Sequence, residues 1–195
     1  MDPVIVTPPA SEPVNLSEAK AQLNVTSSSQ DTQITRLITV ARRQVERYLK
    51  RALITQTWKV YYNCFHHCME IPYPPLQSVT HVKYFDDKGI LQTLSESDFY
   101  WVDKESEPAR IVRKYDAIFP ELLVGRPNAV EIQYVAGYGN ADAVPEDIRH
   151  AILMLVTDYF DNRGELVVGD RVSAVRIPNF IQGLLHDYRM YDFAH

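Results

Sequence analysis

The spacing of apolar residues changes twice along this chain, and those two changes limit its fold more than any other feature. Between Asn15 and Ala52 apolar side chains recur every three or four residues, the repeat of a helix face. From Thr55 to Val135 they alternate, the repeat of a half-buried strand. Past Pro145 the three-and-four spacing returns. The order is therefore two helical segments, a strand-dense block and two more helical segments. It predicts an α+β fold, with a helical core of about four helices and an inserted antiparallel β-rich block. The expected parts are an extended N-terminal arm (1–13), a helical core (14–54 and 140–164), a β-rich insertion (55–139), and a C-terminal loop, helix and tail (165–195).

Pro3, Pro8, Pro9 and Pro13 fix φ and remove backbone donors in the arm, which argues against a helix there. Asn15-Leu-Ser-Glu18 has the pattern of a capping box and opens a short helix with Leu16, Ala19 and Leu23 on one face. A second helix begins at Ser28-Ser-Gln-Asp31, and Ile34, Leu37, Ile38, Ala41, Val45, Tyr48, Leu49 and Ala52 form its stripe. In the β-rich block Trp58, Val60 and Tyr62 alternate with polar neighbours. Residues 79–85 and 90–94 flank Asp86-Asp-Lys-Gly89 as a hairpin, Gly89 supplying the positive φ. Strands are also expected at 99–102, 109–113 and 129–135, in a small sheet or sandwich. A third helix follows Pro145, with Ile148, Ala151, Ile152, Leu155, Tyr159 and Phe160 on one stripe and Asn162-Arg-Gly164 closing it. A loop or short strand pair, 165–177, leads to the final helix.

At 195 residues such a chain buries enough surface to need no metal or disulfide staple. Two cysteines make no disulfide framework, so synthesis in a reducing cytoplasm is expected. No apolar run nears the roughly 20 residues that span a bilayer, and the first residues lack the basic and apolar regions of a signal peptide. A formal net charge of −5 argues against a surface that grips nucleic acid throughout.

Each cluster with possible chemistry has a plainer reading. Cys64-Phe-His-His-Cys68 carries soft ligands, and in an extended strand Cys64, His66 and Cys68 would share a face. Four donors crowded into five residues close a tetrahedron poorly, so reduced, metal-free thiols are expected. Gly137-Tyr-Gly139 lacks the third glycine of a phosphate loop and reads as a turn. Asp158, Asp161 and Glu165 have no facing carboxylate and read as solvated helix-end charges. The histidines at 81, 150, 186 and 195 accompany no nucleophile in a recognisable elbow. No catalytic residue, metal site or cofactor is assigned. Arg42, Arg43, Arg47, Lys50 and Arg51 gather late in the second helix, where cations suit the helix dipole. They could touch phosphates, but Glu46, Tyr48 and Leu49 interrupt them, which favours a solvated or subunit-facing side.

The C-terminal segment is different. Phe180, Ile181, Leu184, Leu185 and Tyr188 are expected on one stripe of a helix too short to be stable alone, so it must cover its own core or a partner. Tyr188, Tyr191 and Phe193 put aromatic anchors near the end.

Several stretches together resemble the head–tail connector (adaptor, or neck) proteins of long-tailed bacteriophages and prophages, with similar adaptors in gene transfer agents. They are Val6-Thr-Pro-Pro-Ala-Ser-Glu-Pro-Val-Asn-Leu-Ser-Glu-Ala-Lys20, Arg51-Ala-Leu-Ile-Thr-Gln-Thr-Trp58, Pro74-Pro-Leu-Gln-Ser-Val79, and Val135-Ala-Gly-Tyr-Gly139 with Val144-Pro and a helix ending Asn162-Arg. The Leu184-Leu185 and Tyr188-Arg189 pattern matches the family's C-terminal segment. The resemblance implies a helical core with a β-rich insertion, found in the virion neck as a ring, usually of twelve copies, beneath the portal protein. DNA passes through the lumen without specific binding, and a tail-proximal neck or stopper protein attaches below. It also implies a portal interface in the C-terminal segment, with Phe180, Ile181, Leu184, Leu185, Tyr188, Arg189 and Tyr191 as its expected residues. Cys64 to Cys68 and the tail Met190 to His195 depart from the family's pattern. The absence of a coiled-coil seam predicts a monomer or small oligomer in isolation, with the ring templated by the portal. The competing readings are an accessory DNA-binding or packaging protein and a metal-dependent enzyme built on Cys64, His66 and Cys68.

Overall fold

Asn15 starts the first helix as its sequence requires. Its side chain accepts from the Glu18 backbone N–H at 2.9 Å, and the Glu18 carboxylate accepts from the Asn15 N–H at 2.8 Å. The computed structural model describes residues 3–162 and 177–191. Most of the loop expected at 165–177, the closing Arg163-Gly164 and the tail beyond Tyr191 lie outside the described residues.

The chain divides into two compact units, Met1–Ala10 with Thr55–Tyr138, and Ser11–Ile54 with Gly139–His195. The second unit holds helices α1 (Leu16–Gln22), α2 (Asp31–Leu49), α4 (Glu146–Asp161) and α5 (Asn179–Leu185), while a single turn, α3 (Glu96–Phe99), belongs to the first. Ile34, Ile38, Ala41, Val45 and Leu49 of α2 are buried, as are Ile148, Ala151, Ile152, Leu155 and Val156 of α4, and the two helices pack together. The Tyr159 hydroxyl donates to Gln44 Oε1 across that contact, and burial pushes its pKa up to about 12. Arg149 of α4 ties α1 down, donating to Glu18 at 2.6 Å and to the Pro13 carbonyl at 3.1 Å.

All strand pairs in the first unit are antiparallel. One sheet runs in the order β1 (Val4–Thr7), β2 (Gln56–Tyr62), β8 (Val130–Ala136), β4 (Leu76–Phe85), β5 (Leu91–Leu94), and a second in the order β3 (Cys68–Ile71), β7 (Ala109–Arg113), β6 (Tyr100–Asp103). Period-two alternation works as expected: Trp58 lies opposite Tyr134 and Val60 opposite Ile132, all four buried. The Tyr134 hydroxyl donates to the Pro72 carbonyl at 2.9 Å, and burial raises its pKa. The other face of the first sheet is polar, with Glu131 accepting from Lys59 at 2.9 Å and lying 3.2 Å from His81 Nε2. The expected hairpin is β4–β5, with Phe85 opposite Leu91 and Gly89 at φ 78°. Asp86 shapes its turn by accepting from the backbone N–H groups of Lys88 and Ile90.

One element differs from expectation. Val4–Thr7, read only as part of an extended arm, pairs with β2 as an outer strand. Pro3, Pro8 and Pro9 bound this strand rather than preclude it, and an edge position tolerates their missing donors.

Candidate functional site

Pro178 sets the start of α5, and its carbonyl accepts from Gln182 N–H at 3.0 Å. Ile181 and Leu185 are both 0% exposed, and α5 packs against α4. A 3-10 turn, His186–Tyr188, then carries the chain to the end of α2. Leu49 is the last residue of α2, and its carbonyl is one of those a helix end leaves without an internal donor. Met190 N–H supplies that donor at 2.9 Å. Beside it Arg51 Nε donates to the Tyr188 carbonyl at 2.5 Å, and the Tyr188 hydroxyl donates to Asp147 at 3.0 Å. The Arg189 guanidinium lies over Tyr48 at 4.8 Å and over Tyr191 at 5.2 Å. Tyr191 in turn has its hydroxyl 3.2 Å from His186 Nε2. The segment is pinned along its length to its own unit.

This corrects the expectation of a single apolar stripe and decides between own core and partner for its inner face. Apolar side chains occupy two neighbouring faces of α5. Ile181 and Leu185 point into the unit, whereas Phe180 is 59% and Leu184 38% exposed. Phe180 and Leu184 are four residues apart and so share the outward face. Tyr191 is 47% exposed, and Tyr188 is half-buried with its hydroxyl engaged. Of the seven expected interface residues, Phe180, Leu184 and Tyr191 present most apolar surface, while Ile181 and Leu185 present none. Phe193 lies outside the described residues.

The other candidates separate as well. Cys64 to His67 form an irregular connection and only Cys68 lies in a strand, so the one-faced array of Cys64, His66 and Cys68 is not formed. Both cysteines are free and exposed, with Cys64 Sγ 3.3 Å from His66 Nε2. Among the described residues no group of three or more His, Cys, Asp or Glu side chains is placed to hold a metal ion. Phe65, in the middle of that run, stacks on Phe119 at 4.4 Å and meets Tyr84 edge-on at 5.6 Å. Gly137 and Gly139 both sit at positive φ in the turn after β8. Asp158 accepts from the Asn162 side chain at 2.8 Å, and Glu165 lies outside the described residues.

The basic run on α2 does not form one exposed stripe. Arg42 is buried between two carboxylates, 2.6 Å from Glu12 and 2.6 Å from Glu46, whose other oxygen accepts from the Leu53 N–H at 3.1 Å. Arg51 is buried against the C-terminal segment, leaving Arg43 and Arg47 as the exposed arginines. Local spacing on α2 does not by itself predict this network. Its trace is the i, i+4 spacing of Arg42 and Glu46 beside the buried Ala41 and Val45.

Among the described residues the C-terminal segment offers a shaped surface, and known proteins share the fold that carries it. Solved chains share the whole fold. One belongs to the neck of the empty gene transfer agent particle computed with C6 symmetry (TM-score 0.79, 19% identity, 100% of this chain and 98% of that chain covered). Another comes from the virion of the native gene transfer agent particle (0.77, 17%, 100% and 98%). A third comes from the neck of the native particle computed with C12 symmetry (0.73, 18%, 100% and 98%). No curated protein sequence matches. The sequence fits the family described as head completion protein over residues 14–191, so this chain belongs to the head completion protein family.

Proposed function

We propose that this chain is the adaptor of a virion neck: copies form a ring, of twelve, beneath the portal, joining a DNA-filled head to its tail. DNA passes through the lumen, a neck or stopper protein attaches on the tail side, and no catalytic step is needed. The observation that carries this reading is full-length likeness, across 100% of this chain, to a chain in the neck of a gene transfer agent particle, joined to family membership. The pinned C-terminal segment supports a rigid portal contact. Phe180, Leu184 and Tyr191 supply exposed apolar area, Tyr188 and Arg189 a polar border, and Ile181 and Leu185 the anchorage that holds the surface in place.

Removing the gene from the particle-producing genome tests this. DNA-filled heads without tails should accumulate, and purified chain added to them should restore tail joining. Fully tailed, infectious particles in its absence would overturn the proposal. Empty heads would favour the accessory packaging role instead, as would strongly salt-dependent binding of the isolated chain to duplex DNA.

A further inference from the structure

The five-stranded sheet ends in two short strands of unusual composition. Its inner strands carry charge, Lys59 on β2, Glu131 on β8 and Lys83 on β4, whereas Val4-Ile-Val-Thr7 of β1 and Leu91-Gln-Thr-Leu94 of β5 carry none. An outer strand normally uses charge to repel unwanted pairing. Here the outer strands instead expose uncharged side chains: on β1 Val4 is 54% exposed, Ile5 45% and Val6 45%, and on β5 Leu91 is 50% exposed beside the polar Gln92 and Thr93, with Ile90 before it at 56% and Leu94 turned inward. Among the described residues each strand pairs on one side only, and each is four residues long.

We propose that these two edges are halves of one interface, β1 of one copy adding to β5 of the next. This rests on the ring reading above. The occupant is a second copy because one chain carries both edges, matched in length and in lacking charge. A contact between two different patches of the same chain is head-to-tail, the kind that closes rings. Strand direction gives a further constraint. Four successive antiparallel pairings separate β1 from β5, so the two run the same way. Copies related by rotation about a ring axis would therefore join them as a parallel pair. Pro3, Pro8 and Pro9 bound β1 at both ends, so the added pairing stops after about four residues and does not spread into open aggregation. Five strand spacings of about 4.8 Å give about 24 Å of sheet per copy. Twelve copies would then place the sheet at a mean radius of about 46 Å, which leaves an open centre.

Cysteine cross-linking within assembled particles tests the proposal. The chain carries Cys64→Ser and Cys68→Ser, combined with either Ile5→Cys and Gln92→Cys or Val6→Cys and Thr93→Cys. Neighbouring strands lie within disulfide reach. After mild oxidation, at least one pair should give a ladder of covalent multimers rising to the ring's copy number on a denaturing gel. Each single-cysteine variant should stay monomeric. Monomer alone from both pairs, in particles whose neck ring is visible by electron microscopy, overturns the interface and leaves the ring reading standing. Dimers from Ile5→Cys or Val6→Cys alone show two-fold β1–β1 pairing and overturn it too. Particles with no ring containing this chain overturn both.

Discussion

Arg42, Glu46 and Glu131 show how burial governs the effect of a single side chain. Arg42 and Glu46 are 5% and 7% exposed at the side chain, so neither charge finds compensation in water if its partner goes. Arg42→Ala should therefore destabilise the helical unit by about 3–5 kcal/mol. Urea unfolding followed by helical circular dichroism checks this, and a loss below about 1 kcal/mol would mean the carboxylates are hydrated in solution. Glu131 is a milder case. Burial alone would raise its pKa, but hydrogen bonds from Lys59 and His81 outweigh burial and hold the carboxyl below its usual 4.5. A depressed folded pKa gives stability that is complete above 4.5 and fades as pH falls through the folded value. The group is partly solvated, so Glu131→Gln should remove no more than about 1 kcal/mol at neutral pH. The variant should also show a shallower loss of stability below pH 4.5 than the parent chain. Equal acid sensitivity in the two would assign the effect elsewhere.

Elements were legible wherever one face alone decides burial. The stripe of α2, the capping box of α1, the β4–β5 hairpin and the alternation along β2 and β8 all follow from local spacing and turn chemistry. The failures have a common cause in neighbours distant in sequence. For β1, four prolines in the first thirteen residues masked a β-branched run, and only pairing with β2 turns it into a strand. For α5, apolar residues at 180, 181, 184, 185 and 188 cover two faces, and α4 decides which is buried. The interface prediction divides accordingly. Phe180→Ser with Leu184→Ser should change stability by no more than about 0.5 kcal/mol each, as exposed positions do, while abolishing retention on portal-bearing heads. Ile181→Ala or Leu185→Ala should cost about 2–5 kcal/mol through a core cavity. Co-sedimentation with tail-less heads, beside thermal unfolding, separates the two classes. Normal retention of the Phe180/Leu184 variant would move the portal contact to another surface.

At the scale of the whole molecule, the two period changes mark where the chain leaves the helical unit and returns to it. The second unit is built from residues on both sides of the strands, while Met1–Ala10 crosses over to join the β-rich unit. A crossing strand of four residues has no period of its own to read. Arg42, read as part of a basic run, serves an ion-pair network inside the fold. The described surface includes an outward face on α5 and two uncharged strand edges. Cryo-electron microscopy of the intact particle neck tests the central claim most directly. A ring of this chain should lie between portal and tail, with the outward face of α5 against the portal. A neck in which the portal meets the tail with no density that fits either unit would contradict it.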